Sequence, residues 1–362
     1  VIYNEAVTAI ERGNYATVRS HIANLQKLPT STAACYAKLL SARLQLSAGD
    51  PQAAIREFSS ISCPKDLHSE SLLVLGECFY KLHDYVESQR LFFHVANEEP
   101  NNEKAHRWLS AVYYDLGAYA LARVHLVKLT ELRPHDFAPY RLLGLMSRDA
   151  GDHKIAIEMY QKCIERGPPN DIRVEVIHEL AESMIALLDF TSALDVLKTI
   201  PVSGPTEVLK AQAHLGLGET EAAERCLEVA YPQCRNEPLF LLQRARTKIA
   251  RADWEAAAVD ADHARRLDPY NPEILYVLAT AKQYLNLNDE SQKLMKESLA
   301  LRDLVARLSQ LSREAEQNGS DPLVRDELSR ISAQLGKKEL AAMWARAADA
   351  CRKGKSQQID AR

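Results

Sequence analysis

The sequence predicts an all-α chain, a solenoid of antiparallel helix pairs, and three observations carry that prediction. Residues of matched size return every 34 positions over 69–170. Within each unit, apolar positions fall at i, i+3, i+4, i+7, the spacing of one helix face. The composition is 46% apolar and 7% aromatic with only 13 glycines in 362 residues, which suits a soluble folded chain and disfavours a turn-rich all-β one.

With Ser69 as position 1, positions 4, 7, 8 and 11 hold Leu72, Leu75, Gly76 and Phe79, the stripe of a first helix. Positions 20, 24, 27 and 32 hold Ser88, Phe92, Val95 and Pro100. The unit from Glu103 answers with His106, Leu109, Ser110, Tyr113, Ala122, Leu126, Leu129 and Pro134. The unit from Phe137 answers with Tyr140, Leu143, Gly144, Ser147, Ala156, Tyr160, Cys163 and Pro168. Small residues at positions 8 and 20 let the two helices approach where they cross. Gly117, Gly151 and the pair His83-Asp84 stop the first helix near position 15. Proline at position 32 cannot continue the second helix and restrains the residue before it.

The remaining units are weaker copies. Residues 1–34 carry Ala6, Gly13-Asn14-Tyr15 and Leu25; 35–68 carry Ala42, Gly49, Ala54 and Phe58. Further units occupy 174–203 (Leu180, Ala181, Ala193, Leu197), 204–237 (Ala211, Gly218, Ala223, Leu227) and 238–271 (Ala245, Trp254, Ala257, Pro269). The last two are 272–302 (Leu275, Leu278, Ala279) and 322–355 (Leu328, Gly336, Ala341, Ala348), making ten in a single array over 1–362. Two places break the period. The unit at 174 starts late and its second helix is cut short by Pro201, so "PVSGP" (201–205) is a loop or a hinge. Starts at 272 and 322 are 50 apart, 16 more than 34, and residues 303–321 form an extra helical segment. Its stripe of Leu301, Leu304, Val305, Leu308 and Leu311 must cover something, either the last unit or, through self-association over 301–311, a second copy.

This pattern resembles the tetratricopeptide repeat, whose period is 34 and whose cues are Leu-Gly, Tyr, Ala, Phe and Pro. The resemblance implies a right-handed superhelical solenoid in which positions 2, 5, 9 and 12 of each first helix face a concave groove, with position 6 flanking. Those positions hold Lys104, Arg107, Ala111 and Tyr114, flanked by Trp108, and then Ala138, Arg141, Leu145 and Arg148. Earlier and later units offer Glu70, Leu73, Glu77 and Tyr80, and Glu175, His178, Glu182 and Ile185. The family's best-known peptide-carboxylate clamp uses Lys and Asn at groove positions. No Asn stands at position 6 or 9 of the clear units here, so that activity is not carried over.

The candidate partner-binding residues are therefore Tyr80, Lys104, Arg107, Trp108, Tyr114, Arg141, Leu145 and Arg148. Trp108 reads as an exposed anchor, and the cations read as a site for an acidic and aromatic peptide unless they pair with neighbouring Glu residues. No phosphate loop, nucleophile elbow or zinc-protease motif occurs, and "GLGE" (216–219) falls at a helix-to-helix turn. The expectation is a non-catalytic scaffold without cofactor or metal, its eleven histidines structural or solvated. The alternative is the regulatory or substrate-recruiting arm of a larger enzyme or membrane-associated protein. The chain starts at Val1 rather than Met, which fits a processed form or a piece of something longer. A net charge of -4 disfavours nucleic acid, and no run approaches the roughly 18 apolar residues of a membrane span. Seven cysteines without a C-x-x-C pair read as small buried apolar residues in a reducing compartment, hence a cytoplasmic location.

Overall fold

A computed structural model describes residues 2–58, 64, 67–317 and 321–360, and every element among them is helical. The chain divides into two compact units. The first takes Val1–Pro134, Ala315–Asp326 and Ala342–Arg362; the second takes His135–Glu314 and Glu327–Ala341.

In the first unit the pairs are α1 (Ile2–Glu11) with α2 (Tyr15–Gln26), α3 (Ser31–Ser47) with α4 (Pro51–Phe58), α5 (His68–Lys81) with α6 (Tyr85–Glu98), and α7 (Glu103–Asp115) with α8 (Tyr119–Leu132). In the second unit they are α9 (Ala138–Asp149) with α10 (His153–Glu165), α11 (Asn170–Ala186) with α12 (Phe190–Leu197), α13 (Gly204–Gly216) with α14 (Thr220–Cys234), and α15 (Pro238–Ala250) with α16 (Trp254–Leu267). After α17 (Pro272–Tyr284), the helices α18 (Asn288–Gln317), α19 (Pro322–Gln334) and α20 (Lys338–Asp360) divide their residues between the units.

The same backbone device recurs at the same place in the pairs. The residue at the turn, position 15 in nine pairs and position 13 in the first, has positive φ: Gly13, Gly49, His83, Gly117, Gly151, Leu188, Gly218, Ala252, Asn286 and Gly336. The next amide donates back to the carbonyl five residues earlier, as in Asp84 to Phe79 at 2.9 Å, Asp152 to Ser147 at 2.8 Å and Asp253 to Lys248 at 3.0 Å. This is the Schellman end, which satisfies orphan carbonyls and reverses the chain. Asp84, Asp189 and Asp253 then cap the second helix through their side chains.

The small residues at the crossings do what their spacing requires. A Cβ on Gly76 would lie 2.6 Å from Phe92 Cε1, and one on Gly144 would lie 2.6 Å from Tyr160 Cε1. Across the same crossing, Ser88 Oγ donates to the Gly76 carbonyl at 3.0 Å and Ser291 Oγ to the Ala279 carbonyl at 2.8 Å. Phe92 and Tyr160 are fully buried, each contributing on the order of 2–3 kcal/mol of apolar burial.

Both irregularities are absorbed by helix length. α11 begins at Asn170, four residues ahead of 174, and is 17 residues long. α18 has 30 residues against 14 for α16, and the difference of 16 equals the excess spacing before the last unit. The extra segment is thus a lengthened helix through Gln317, with Leu311 buried and Leu301, Leu304 and Leu308 half-buried; residues 318–320 lie outside the described residues. "PVSGP" supplies both a connection and a helix start: Ser203 caps α13, and the Gly204 amide donates to Gln233 Oε1 at 2.5 Å. In the first unit, Trp344 (1% exposed) packs on Gly117 and edge-on to Tyr119, and the fully buried Arg325 donates to the Leu116 carbonyl at 3.0 Å.

One cysteine departs from the expected unpaired set. Cys35 is buried and disulfide-bonded, whereas Cys78, Cys163, Cys226 and Cys234 are free thiols. Among the described residues no helix is long and apolar enough to cross a membrane.

Candidate functional site

The predicted groove residues divide between the two units. In the first, Tyr80 (α5) and Trp108 (α7) meet with ring centroids 5.2 Å apart, and Tyr80 donates to Asp115 at 2.7 Å. Burial, then that hydrogen bond, raises the Tyr80 phenol above its usual range. Trp108 is not the exposed anchor expected from the sequence. It is half-buried and lies parallel to Phe92 at 5.5 Å, because Phe92 at position 24 needs a flat partner from the next pair. Tyr114 is half-buried against Tyr119 at 5.3 Å, and Lys104 and Arg107 are exposed.

Around Lys104 the charges are internally matched. Glu70 accepts from Tyr3 (2.8 Å), Arg43 (2.7 Å) and Lys104 (3.1 Å), joining first helices of four successive pairs. Burial alone would raise the Glu70 carboxyl, but Arg43 and Lys104 outweigh it and hold it below the usual carboxylate range. Glu77, 3.9 Å from Arg43, is raised because burial dominates there.

In the second unit Arg141 bridges Glu175 (2.6 Å) and Glu179 (2.7 Å), and Arg148 pairs with Glu182 (3.2 Å) and Asp149 (3.5 Å). The Glu179 hydrogen bonds hold the Arg141 guanidinium firmly protonated. Leu145 packs half-buried on the core around Tyr160, Ile177 and Leu180. Thus Lys104, Arg141 and Arg148 all have acidic partners on neighbouring first helices. Each such pair is worth about 0–1 kcal/mol where exposed, enough to fix a side chain but not to prevent exchange of partners.

A cavity of about 530 Å³ lies further along this unit. Glu182 and Ile185 come from α11, Gln212 and Leu215 from α13, Arg246 from α15 and Glu273 from α17, with Leu188 and Phe190 forming an apolar wall. Arg246 donates to Glu273 at 2.7 Å, and burial raises the Glu182 carboxyl against the pull of Arg148. Leu188 is 72% exposed, held there by its positive φ in the position-15 turn. Glu182 also lines a second cavity of about 360 Å³ with His178, Leu209 and Phe240.

Gln212, Leu215, Arg246 and Glu273 were not among the predicted site residues. They stand at positions 9, 12, 9 and 2 of the units from 204, 238 and 272. The groove-position rule locates them as well as it locates Arg141. Nothing in the sequence distinguishes them as cavity-lining, because Leu188 and Phe190 join only through the turn.

No family model and no curated protein matches the sequence. Among solved structures, the chain is similar to the Cut9-Hcn1 hetero-tetramer of the APC/C, at 15% identity and TM-score 0.45 over 91% of this chain and 62% of that one. It is also similar to the C-terminal part of a TPR repeat-containing protein from Cytophaga hutchinsonii, at 17% identity and TM-score 0.46 over 63% of this chain and 95% of that one. A tetratricopeptide repeat protein from Parabacteroides merdae is similar at 14% identity and TM-score 0.45, over 72% of this chain and 97% of that one. The chain spans less than two thirds of the Cut9-Hcn1 chain's length.

Proposed function

We propose that the chain is a non-catalytic protein-interaction scaffold that takes an extended segment of a partner protein in the groove of its second unit. The carrying observation is the cavity between Glu182, Gln212, Arg246 and Glu273 with its wall of Ile185, Leu188 and Phe190. Its volume lies within the range of ligand pockets, roughly 300–1,000 Å³. An apolar wall beside a half-buried amide that can both donate and accept suits an apolar or aromatic side chain on a backbone needing hydrogen bonds. Arg141, Arg148 and Arg246 already hold carboxylates, so an acidic ligand must displace them and its affinity should fall with salt. Aromatic character therefore dominates acidic character in the partner.

The test is selection of peptides on the immobilised chain, followed by binding to two surface variants. Leu188→Glu with Gln212→Glu alters the cavity, and Lys104→Glu with Arg107→Glu alters the predicted site in the first unit. Selected peptides should lose at least tenfold in affinity with the first variant and little with the second or with Lys128→Glu and Lys162→Glu. The reverse pattern would move the site to the first unit and overturn this placement.

A further inference from the structure

Away from the groove, three potential metal ligands converge in the first unit. His68 is the first residue of α5, and His94 and Glu98 stand one turn apart on α6. One ligand atom from each lies within 4.8 Å of the other two, and all three side chains are exposed. His94 Nε2 and Glu98 Oε1 are 3.3 Å apart. The imidazoles of His68 and His94 sit edge-on, with centroids 6.0 Å apart and planes at 89°.

We propose that His68, His94 and Glu98 bind a zinc ion. A tetrahedral zinc with bonds of about 2.0–2.2 Å spaces its ligand atoms roughly 3.3–3.5 Å apart. His94 and Glu98 already have that spacing, so only His68 must close, by about 1.5 Å at most, within the reach of side-chain rotation at an exposed helix start. Two imidazoles and one carboxylate form a nitrogen-rich set that suits zinc and its transition-metal neighbours rather than calcium or magnesium, which prefer all-oxygen shells. Among the described residues lining the adjoining cavity the base is Arg90, and it is engaged by Glu87 through two hydrogen bonds of 2.9 and 2.7 Å. Glu99, the next acid, is occupied by Ser69 and by Asn102 at 2.6 Å and does not compete as a ligand.

Three protein ligands leave the fourth position for water or an incoming group. His68 and His94 also line a cavity of about 340 Å³ together with Leu72, Leu91, Phe93 and Asn97. The bound ion would tie the start of α5 to the last turns of α6.

The experiment uses the metal-stripped full chain, titrated with zinc chloride against a chromophoric chelator under reducing conditions. Cobalt serves as a spectroscopic substitute for a tetrahedral site. Saturable one-to-one binding is expected. His68→Ala and His94→Ala should each weaken it at least tenfold and Glu98→Gln less, while the exposed His135→Ala leaves it unchanged. Circular dichroism confirms that the variants keep their helices. Two results overturn the site: no saturable zinc binding in the micromolar range, or undiminished binding in the folded His68→Ala, His94→Ala double variant, which would assign the metal to thiols or other histidines.

Discussion

Replacing Gly144 by alanine tests the reading that helix crossings set this fold. The new methyl carbon would sit 2.6, 2.7 and 3.0 Å from Cε1, Cδ1 and Cζ of Tyr160. Tyr160 is fully buried among Cys163, Ile177 and Leu180, so the ring has nowhere to retreat. Overpacking of this kind costs about 1–3 kcal/mol, while alanine gains about 1 kcal/mol over glycine in a helix interior. The net loss should be about 0–2 kcal/mol, read as a lower urea midpoint by circular dichroism. At the equivalent positions 8 and 24 of the α7–α8 pair, the chain instead carries Ser110 and Leu126. In a Tyr160→Leu background, Gly144→Ala should become neutral or stabilising by about 0.5–1 kcal/mol. The resulting coupling equals the overpacking cost of about 1–3 kcal/mol and exceeds the scatter of independent sites. An equal loss in both backgrounds would refute the crossing argument.

Two further outcomes follow from the same units. Ala252→Gly should raise stability by about 1 kcal/mol, because Ala252 holds φ 61 in a position-15 turn where a Cβ is strained; an unchanged midpoint would show that the turn carries no strain. Acidification should destabilise the first unit through His125, whose Nδ1 lies 2.9 Å from His106 Nδ1 and whose ring stacks on Tyr113. His106 Nε2 also hydrogen-bonds the Pro100 carbonyl at 3.0 Å. Burial first, then His106, lowers the His125 pKa from 6.5 to about 4. The unfolded chain therefore binds a proton that the fold refuses. The stability is fully present above pH 6.5 and is lost as pH falls towards 4, by about 1–2 kcal/mol after discounting for partial exposure. His125→Gln should remove that part of the slope between pH 7 and 5 in urea unfolding.

The sequence by itself determined the helix pairs, because each pair repeats local requirements that a 34-residue window contains. Position 15 must turn the chain, position 8 must be small, and the apolar stripes must face one another. Even the breaks in period were legible as arithmetic, the excess of 16 before residue 322 reappearing as the length of α18. Residues that meet through three dimensions were not. Trp108 looked like an anchor because its contact, Phe92, lies in the preceding unit and stacks on it only after the pairs dock. Arg141 and Arg148 looked available because the helix that satisfies them, α11, comes a whole unit later. The cavity beside Leu188 needs four first helices and one turn to assemble. Its residues obey the groove-position rule like many others, and only docking decides which of those positions enclose space. The tertiary structure likewise brings His68 to His94 and Glu98, since imidazoles 26 positions apart share no periodicity that a linear reading can detect.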